Sequence, residues 1–450
     1  MLQSVSLQIS IRKSIRLCDR PLHFLPEMTS SRKYRFLSKN VVFWLLFVCA
    51  SAPLVLYFNW PFARDSAIYV AGFEALLKGV NPYESGTFRS GLFGSALMYS
   101  IALLVPSWLE SCVFLALNIL GTVIFMRFFM ENKSQKSDFF ILVLAVWSSA
   151  SREGLNTIQI TGILLGLLTF VLKGMEIQAY TSTKVFSRIL GVFCAAILID
   201  LKPHYVLPLF ALLFFKNKRL AFALTTILTL FIGHLLTDLI AGKFLTLEWL
   251  RLMLNLANEP IDGTRRDFTN IWSLTSSFID LGNFAKFLPY VLIVSVVLVV
   301  SLSKSISFEQ TIYVGLLLPL ISTYTHFYDY LGIVALTLVS AARYRSSLEM
   351  CLMIPLILIA DNWQSLQGLG LIGLFFIFFI CVSYEKISSK YLMQLIRNMC
   401  FAMSLFLLVH LVQDILVKLG ANSMSLSATV SMAVLIFFYS RSVLNSKSNI

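Results

Sequence analysis

Charged residues are scarce in this chain of 450 residues: Asp, Glu, Lys and Arg make up 13% of it, against 58% apolar residues. A soluble globular domain carries about 25% charged residues, so this shortage excludes an ordinary water-soluble fold. The apolar residues form long runs, each near the ~20 residues that span a bilayer as a helix. Because backbone groups in hydrocarbon must be paired within the segment, the runs predict an all-α polytopic membrane protein. The clearest runs are 41–58, 220–241, 366–383 and 395–417.

The sequence also lacks the cysteine and glycine patterns that mark cofactor sites. Its seven cysteines are scattered, mostly inside apolar runs, without the paired spacing of a disulfide framework or a zinc site. No metalloprotease helix, P-loop or dinucleotide fingerprint is present, so we predict no metal and no cofactor. The net charge of +13 lies mostly in short clusters between apolar runs, which is typical of membrane anchoring and not of nucleic-acid binding.

The basic clusters predict the topology. Residues 1–40 carry eight Lys and Arg and are expected to be cytoplasmic, with Met28 as an alternative start and 41–58 as a retained anchor. The later basic loops fall on the same side if the chain forms a bundle of about 12–14 spans. That arrangement requires three short or incomplete crossings, at 92–106, 138–151 and 205–215.

This topology collects the unusual polar residues at the extracytoplasmic face, where ionisable groups beside apolar spans are costly and usually functional. Two outer loops, 59–91 and 242–286, are long enough to fold, and an amphipathic stretch occupies 246–257. A catalytic membrane region is predicted over 41–340, with further spans over 341–450. The polar residues at this face are Asp65, Arg152, Glu153, Gln159, Asp200, Lys202, His204, Asp262, Arg265, Arg266, Asp267, His326, Asp329 and Asp361.

The first outer loop predicts a helix that lies along the membrane surface. Asp65 is a suitable N-cap, Gly79 a suitable C-cap, and Pro82 prevents the helix from continuing. One face of this helix is apolar, as an interfacial helix requires. The residues on that face are Ile68, Ala71, Gly72, Ala75 and Leu76.

The same loop carries a longer pattern, Asp65-x3-Tyr69-x-Ala71-x5-Leu77-x-Gly79-x2-Pro82-Tyr83. Later segments follow in a fixed order: Gln159 at the start of an apolar span, then Lys202-Pro203, then Thr325-His326-Phe-Tyr-Asp329. Together these segments resemble the GT-C superfamily of glycosyltransferases, and more narrowly glycosyltransferase family 87. The resemblance covers about residues 41–340, and departures such as Ile158 before Gln159 are typical of a divergent member.

The resemblance implies a glycosyltransferase in the cell membrane. It would move a sugar, mannose or a related one, from a polyprenyl-monophosphate carrier to a glycan or glycolipid hydroxyl on the extracytoplasmic side, with inversion. Asp65 would be the general base for the acceptor hydroxyl, although a role as N-cap alone is the alternative. The residues implied in substrate binding are Tyr69, Gln159, Lys202, His204, Arg265, Arg266 and His326.

The cations in this set suit a phosphate leaving group, because preorganised positive charge stabilises the negative charge that grows as the glycosyl bond breaks. Interfacial snorkelling is the competing explanation for Lys202, Arg265 and Arg266. Gln159 and His326 are equally compatible with packing between spans. Two rival functions remain at this point: a transporter or flippase of lipid-linked sugars, and a polysaccharide polymerase or ligase that would use Arg265 and His326 instead of Asp65.

Overall fold

The computed structural model of the chain describes residues 64–84, 88–130, 145, 159–176, 182–216, 219–257, 284–303, 305–321, 327–343 and a few positions between 393 and 419. All but the last few positions form helices and their connections, and no strand occurs in these ranges. The chain divides into units 1–51 and 52–450, and every described residue belongs to the second unit. The helices are α1 Arg64–Leu77, α2 Leu92–Leu103, α3 Ser107–Phe129, α4 Thr161–Glu176, α5 Ser182–Leu201, α6 Pro203–Lys216, α7 Leu220–Ala241, α8 Leu245–Ala257, α9 Phe284–Leu302, α10 Phe308–Leu317 and α11 Leu331–Arg343, with 3₁₀ turns at Leu318–Ile321 and Phe327–Tyr330.

Two of these helices, α3 and α7, are long and apolar enough to cross a bilayer. They have 23 and 22 residues, so each measures about 33–35 Å at 1.5 Å per residue. The α2 helix has only 12 residues, about 18 Å, which agrees with the prediction that 92–106 does not cross fully. The predicted total of spans includes 41–58 and 341–450, most of which lies outside the described residues.

The α7 helix has the polarity of a membrane span and not that of a helix in a soluble protein. Its buried residues include Thr226, His234 and Thr237. A helix in water buries its apolar face and exposes its polar one, so the polarity of α7 is inverted. Its large exposed side chains are Leu220, Leu224, Ile227, Leu228, Phe231, Ile232, Leu235, Leu236, Leu239 and Ile240.

The centre of the bundle is a close packing of α3, α4 and α5. A Cβ atom on Gly121 of α3 would lie 2.1 Å from the carbonyl oxygen of Gly162 in α4, so these two backbones touch. At the opposite end of α4, a Cβ atom on Gly174 would lie 3.1 Å from the Cα atom of Gly191 in α5, so these two helices are also in close contact. Small residues at helix contacts are typical of membrane bundles, where close backbone approach replaces the hydrophobic effect as the source of packing energy.

The end of α1 confirms the predicted C-cap. Gly79 has a φ of 71°, in the left-handed region. Its N–H donates to the carbonyl of Leu76 at 3.0 Å, and the N–H of Val80 donates to the carbonyl of Ala75 at 2.9 Å. This pair of bonds is the Schellman arrangement, in which glycine at the left-handed position allows two end carbonyls of the helix to be satisfied.

The predicted N-cap at Asp65 is wrong. Asp65 already lies in the first turn of α1, because the helix includes Arg64. A residue with helical geometry cannot be the half-helical residue that precedes the helix. The carboxylate therefore stands in the first turn, where it complements the positive end of the helix dipole.

The face of α1 that was predicted to lie along the membrane packs in part against the protein. Gly72 and Leu76 of that face are buried, whereas Ala71 is exposed. Tyr69, which was not assigned to that face, is buried as well. The amphipathic stretch predicted at 246–257 is confirmed, since α8 covers it and begins one residue earlier.

The two predicted outer-loop helices meet. We call α1, residues 78–84 and 88–91, and α8 the cap. Its core also includes the start of α2. The predictions placed these segments in separate loops of the same face, and their contact agrees with that placement. The buried residues of this core are Leu76, Tyr83, Phe88, Leu92, Leu245 and Trp249.

Candidate functional site

The polar centre of the molecule is a break between two helices. The α5 helix ends at Leu201 and α6 begins at Pro203, with Lys202 between them. Proline suits the first position of a helix, because its missing N–H would have no intrahelical partner there. We call residues 200–203 the junction. Asp200 and Lys202 are both buried, and each pairs with a different part of the protein.

Asp200 fixes the start of α2. Its Oδ2 accepts a hydrogen bond of 2.6 Å from the N–H of Gly94, the third residue of α2. Its backbone carbonyl accepts a second bond of 2.8 Å from the N–H of Gly91. Asp200 therefore caps α2 from another helix, where a carboxylate also complements the dipole of α2.

This approach requires glycine at position 91. A Cβ atom there would lie 1.8 Å from Oδ1 of Asp200, a distance at which no side chain fits. Beside it, the Oγ of Ser90 donates to the carbonyl of Leu201 at 2.9 Å. The junction and the start of α2 are thus held together by side-chain and backbone bonds at once.

His234 links the junction to the cap. Its Nε2 lies 2.8 Å from Oδ1 of Asp200, a distance of ion pairing, although the two atoms do not form a well-aligned hydrogen bond. The imidazole also stacks on Trp249 of α8, with ring centroids 4.9 Å apart. A second contact joins α7 to the cap. Oδ1 of Asp238 in α7 accepts a hydrogen bond of 2.9 Å from the N–H of Thr246 and so caps the start of α8.

The cap is closed by a second group of polar contacts around Tyr83. The Tyr83 hydroxyl donates to the carbonyl of Ser90 at 3.2 Å, and the side chain of Asn81 donates to Glu248 of α8. Burial raises the pKa of Tyr83 well above its usual value, and the nearby carboxylates of Asp200, Asp238 and Glu248 act in the same direction. Tyr83 therefore remains a protonated donor at any physiological pH.

Lys202 forms the second buried ion pair of the junction. Its Nζ lies 2.6 Å from Oδ1 of Asp329, and the two side chains are 6% and 0% exposed. Asp329 belongs to the 3₁₀ turn that precedes α11. Because a buried charge is costly without a partner, the carboxylate neutralises much of the ammonium charge at this position. The sequence placed both residues at one face but did not predict their pairing.

The start of α4 is held inside the bundle by Asn118 of α3. Its Oδ1 accepts from the N–H of Gly162 at 2.9 Å and of Ile163 at 3.3 Å. Two neighbouring polar atoms remain without a hydrogen-bond partner among the described residues, the Oε1 of Gln159 and the Oγ1 of Thr161. Their residues are 5% and 1% exposed, so water does not compensate them at the surface.

Asp65 lies in the cap, partly exposed, at the start of α1. Tyr69 follows one turn later and is buried. The Oγ of Ser66, next to Asp65, is buried and has no hydrogen-bond partner in the described part of the chain. The α1 helix, which carries Asp65, packs on α2. The α2 helix in turn packs on α5, which ends directly before Lys202.

The structure places four of the eight predicted site residues with their side chains: Asp65, Tyr69, Gln159 and Lys202. None of the contacts described above joins one of the four to another. The side chains of the other four lie outside the described residues: His204, Arg265, Arg266 and His326.

Four further residues were missed by the sequence analysis: Asn118, His234, Asp238 and Glu248. Asn118 and His234 had a usable signal, because a lone polar residue inside a long apolar run is expensive and has a partner or a function. Within the described ranges, no group of three or more His, Cys, Asp or Glu side chains converges as a metal site would.

Comparison with protein-family models, with curated proteins and with solved structures gives no match. The resemblance to glycosyltransferase family 87 therefore stays a prediction that rests on residues 65–83, Gln159, Lys202 and the segment around His326.

Chemically, this end of the helices offers a partly exposed carboxylate, a buried ammonium held by a carboxylate, and uncharged hydrogen-bonding groups at the start of α4. Basic residues occupy the opposite ends of the same helices, at Lys173, Arg188, Lys216 and Arg219. The arrangement combines a possible proton acceptor with groups that suit a polar substrate.

Proposed function

We propose that this protein is a multi-pass membrane glycosyltransferase that transfers a sugar, mannose or a related one, from a polyprenyl-monophosphate carrier to a glycan or glycolipid hydroxyl. The observation that carries the proposal is Asp65. It stands in the first turn of α1, partly exposed, in the cap that covers the polar end of the helices. Its favourable position in the dipole of α1 is compatible with a second role as proton acceptor.

Membrane embedding is supported by the length of α3 and α7 and by the inverted polarity of α7. The full bundle of about 12–14 spans belongs to the proposal, because it counts segments outside the described residues. The positive charges at Lys173, Lys216 and Arg219 favour a cytoplasmic position for that end of the helices. The cap and the junction then face the extracytoplasmic side of the cell membrane.

In the proposed reaction, Asp65 takes the proton of the acceptor's hydroxyl group while the oxygen of that hydroxyl forms a bond to the anomeric carbon of the donor sugar. The bond between that carbon and the phosphate oxygen breaks, and its electron pair leaves with the polyprenyl phosphate. General-base catalysis of this kind contributes about 10²–10⁴-fold. No cofactor is required, because the donor brings its own leaving group.

The phosphate needs more positive charge than Lys202 supplies. The ion pair with Asp329 offsets the charge of Lys202, so a dianionic leaving group would be poorly stabilised by Lys202 alone. The proposal therefore assigns the remaining charge to His204, Arg265, Arg266 and His326, with arginine as the better bidentate ligand of phosphate. Lys202 and Asp329 then contribute to the site as a fixed ion pair with little net charge.

The rival function of a transporter or flippase is favoured by one observation. A buried ion pair of Lys202 with Asp329 and a buried contact of His234 with Asp200 flank a break between helices. Ionisable residues inside membrane bundles often mark the path of an ion or substrate. The polymerase or ligase alternative depends on Arg265 and His326, whose side chains the structure does not describe.

Purified protein in nanodiscs, incubated with a panel of polyprenyl-phosphate sugars and an acceptor extract, tests the proposal. A transferase releases polyprenyl phosphate in step with a new glycoside. A flippase moves the intact lipid between leaflets and releases none. Absence of release with every donor, alongside intact lipid movement, would replace the transferase proposal with the transporter.

A further inference from the structure

Two buried polar side chains at the start of α4, Gln159 just before the helix and Thr161 at its first position, each have an atom that no described group satisfies. Gln159 and Thr161 are two residues apart, so their Cα atoms are at most about 7 Å from one another. Both residues are more than nine-tenths buried. A buried polar atom without a partner is costly, and in a native protein such an atom needs an explanation.

The surroundings favour an uncharged partner. The N–H groups in the first turn of a helix attract anions when they have no other partner. Two of those in α4 do have one, because Oδ1 of Asn118 accepts from the N–H groups of Gly162 and Ile163. The unsatisfied atoms are an amide oxygen, which accepts, and a hydroxyl, which both donates and accepts. The amide oxygen does not suit a phosphate, because neither oxygen has a hydrogen to donate, whereas the hydroxyl groups of a sugar can donate to the amide oxygen and can donate to or accept from the hydroxyl of Thr161.

The position of these atoms relates them to the junction. Leu165, one turn into α4 from Thr161, contacts Gly332 at the start of α11. Gly332 follows Asp329 by three residues, and Asp329 holds Lys202. The start of α4 therefore packs against α11, which directly follows the 3₁₀ turn that supplies Asp329 to the buried ion pair.

We propose that Gln159 and Thr161 form a subsite for sugar hydroxyl groups, and that Asn118 positions it by fixing the start of α4. The inference deepens the proposed function and rests on it for the identity of the ligand: the subsite would hold the sugar of the donor, and the cationic residues would hold its phosphate. Gln159 and Thr161 then determine sugar specificity, while Asn118 acts through the backbone of α4.

The test uses wild-type protein and the variants Thr161→Val and Gln159→Leu in nanodiscs, because common detergents are themselves glycosides. The probes are octyl glycosides of mannose, glucose and galactose, with octanol as the sugar-free control. Thr169→Val is the matched control variant, since Thr169 is buried in the same helix and its hydroxyl is already bonded to the carbonyl of Leu165 at 3.1 Å.

Each hydrogen bond lost should weaken the binding of the preferred glycoside by about threefold to tenfold, with octanol unaffected. Thr161→Val should be at least as stable as wild type, because it removes an unsatisfied hydroxyl, whereas Thr169→Val loses a bond and some stability. Glycoside binding that is equal in wild type, Thr161→Val and Gln159→Leu would overturn the subsite and assign the two atoms to bound water.

A second pair of probes separates the subsite from the proposed reaction. The same proteins are titrated with a short polyprenyl-phosphate mannose and with the sugar-free polyprenyl phosphate. If glycosides bind in a way that depends on Thr161 and neither phosphate lipid binds, the subsite stands and the proposed donor is refuted. If both phosphate lipids bind and no sugar probe depends on Thr161 or Gln159, the subsite is refuted and the proposed donor stands.

Discussion

Removal of Lys202 should destabilise the protein, because it leaves the buried carboxylate of Asp329 without its counter-ion. Lys202→Met keeps the length of the side chain but leaves the carboxylate of Asp329, which is 0% exposed, without the ammonium 2.6 Å away. Loss of one partner from a buried pair costs about 3–5 kcal/mol, because the remaining charge loses its counter-ion. We expect a loss of free energy of unfolding in that range.

The double variant measures how much of this loss comes from the stranded charge. Asp329→Asn removes the charge and keeps a polar group of the same shape, so Lys202→Met with Asp329→Asn leaves no buried unpaired ion. Its destabilisation should be about 2–3 kcal/mol smaller than the sum of the two single losses. The assay is equilibrium unfolding by increasing SDS in mixed micelles, followed by tryptophan fluorescence.

Lys216→Met is the control, since Lys216 lies at the opposite end of α6 and no such pair holds it among the described contacts. Its effect should stay within about 0.5 kcal/mol, as expected for a substitution away from the core. Strict additivity of the two single variants would refute the reasoning, because it would mean that the two charges do not interact in the folded protein.

Three further substitutions test the contacts that position the site, each by the same unfolding assay. Gly91→Ala should cost about 3 kcal/mol, since its Cβ would lie 1.8 Å from Oδ1 of Asp200, and an unchanged midpoint would show that α2 does not approach the junction so closely. Asn118→Ala should cost about 2 kcal/mol, because the buried N–H of Gly162 loses its acceptor. A loss below about 0.5 kcal/mol, which is the size expected for a surface substitution, would contradict the capping role. Gly79→Ala should cost about 1 kcal/mol because of its positive φ, and a gain in stability would argue against the Schellman turn.

Local features of the cap were predictable from sequence because they depend on a few adjacent residues. Gly79 was predicted as the C-cap and is one, since glycine readily takes the left-handed conformation that ends a helix and Asn81-Pro82 prevents the helix from continuing. The helix at 246–257 was predicted within one residue from its periodicity alone. The prediction for Asp65 failed because helix starts are poorly defined by a single capping residue when Arg64 is also compatible with the helix.

The pairings at the junction were not predictable, because their partners are far apart in the chain. Lys202 and Asp329 are separated by 127 residues, and Gly94 and Asp200 by 106. No periodic pattern relates such residues, and one sequence contains no covariation. His234 shows the limit most clearly: its polarity within an apolar run signals a partner, but nothing in the sequence identifies Asp200 as that partner.

The most direct test of the central claim is the rate of sugar transfer by Asp65→Asn, measured in nanodiscs with the donor that wild-type protein accepts. Glu74→Gln is the matched control, because Glu74 lies on the same helix and its carboxylate pairs with the ammonium group of Lys78 at 2.6 Å. The account predicts a loss of about 10²–10⁴-fold for Asp65→Asn, an unchanged unfolding midpoint, and near-normal transfer by Glu74→Gln. Transfer by Asp65→Asn within a few-fold of wild type would contradict it.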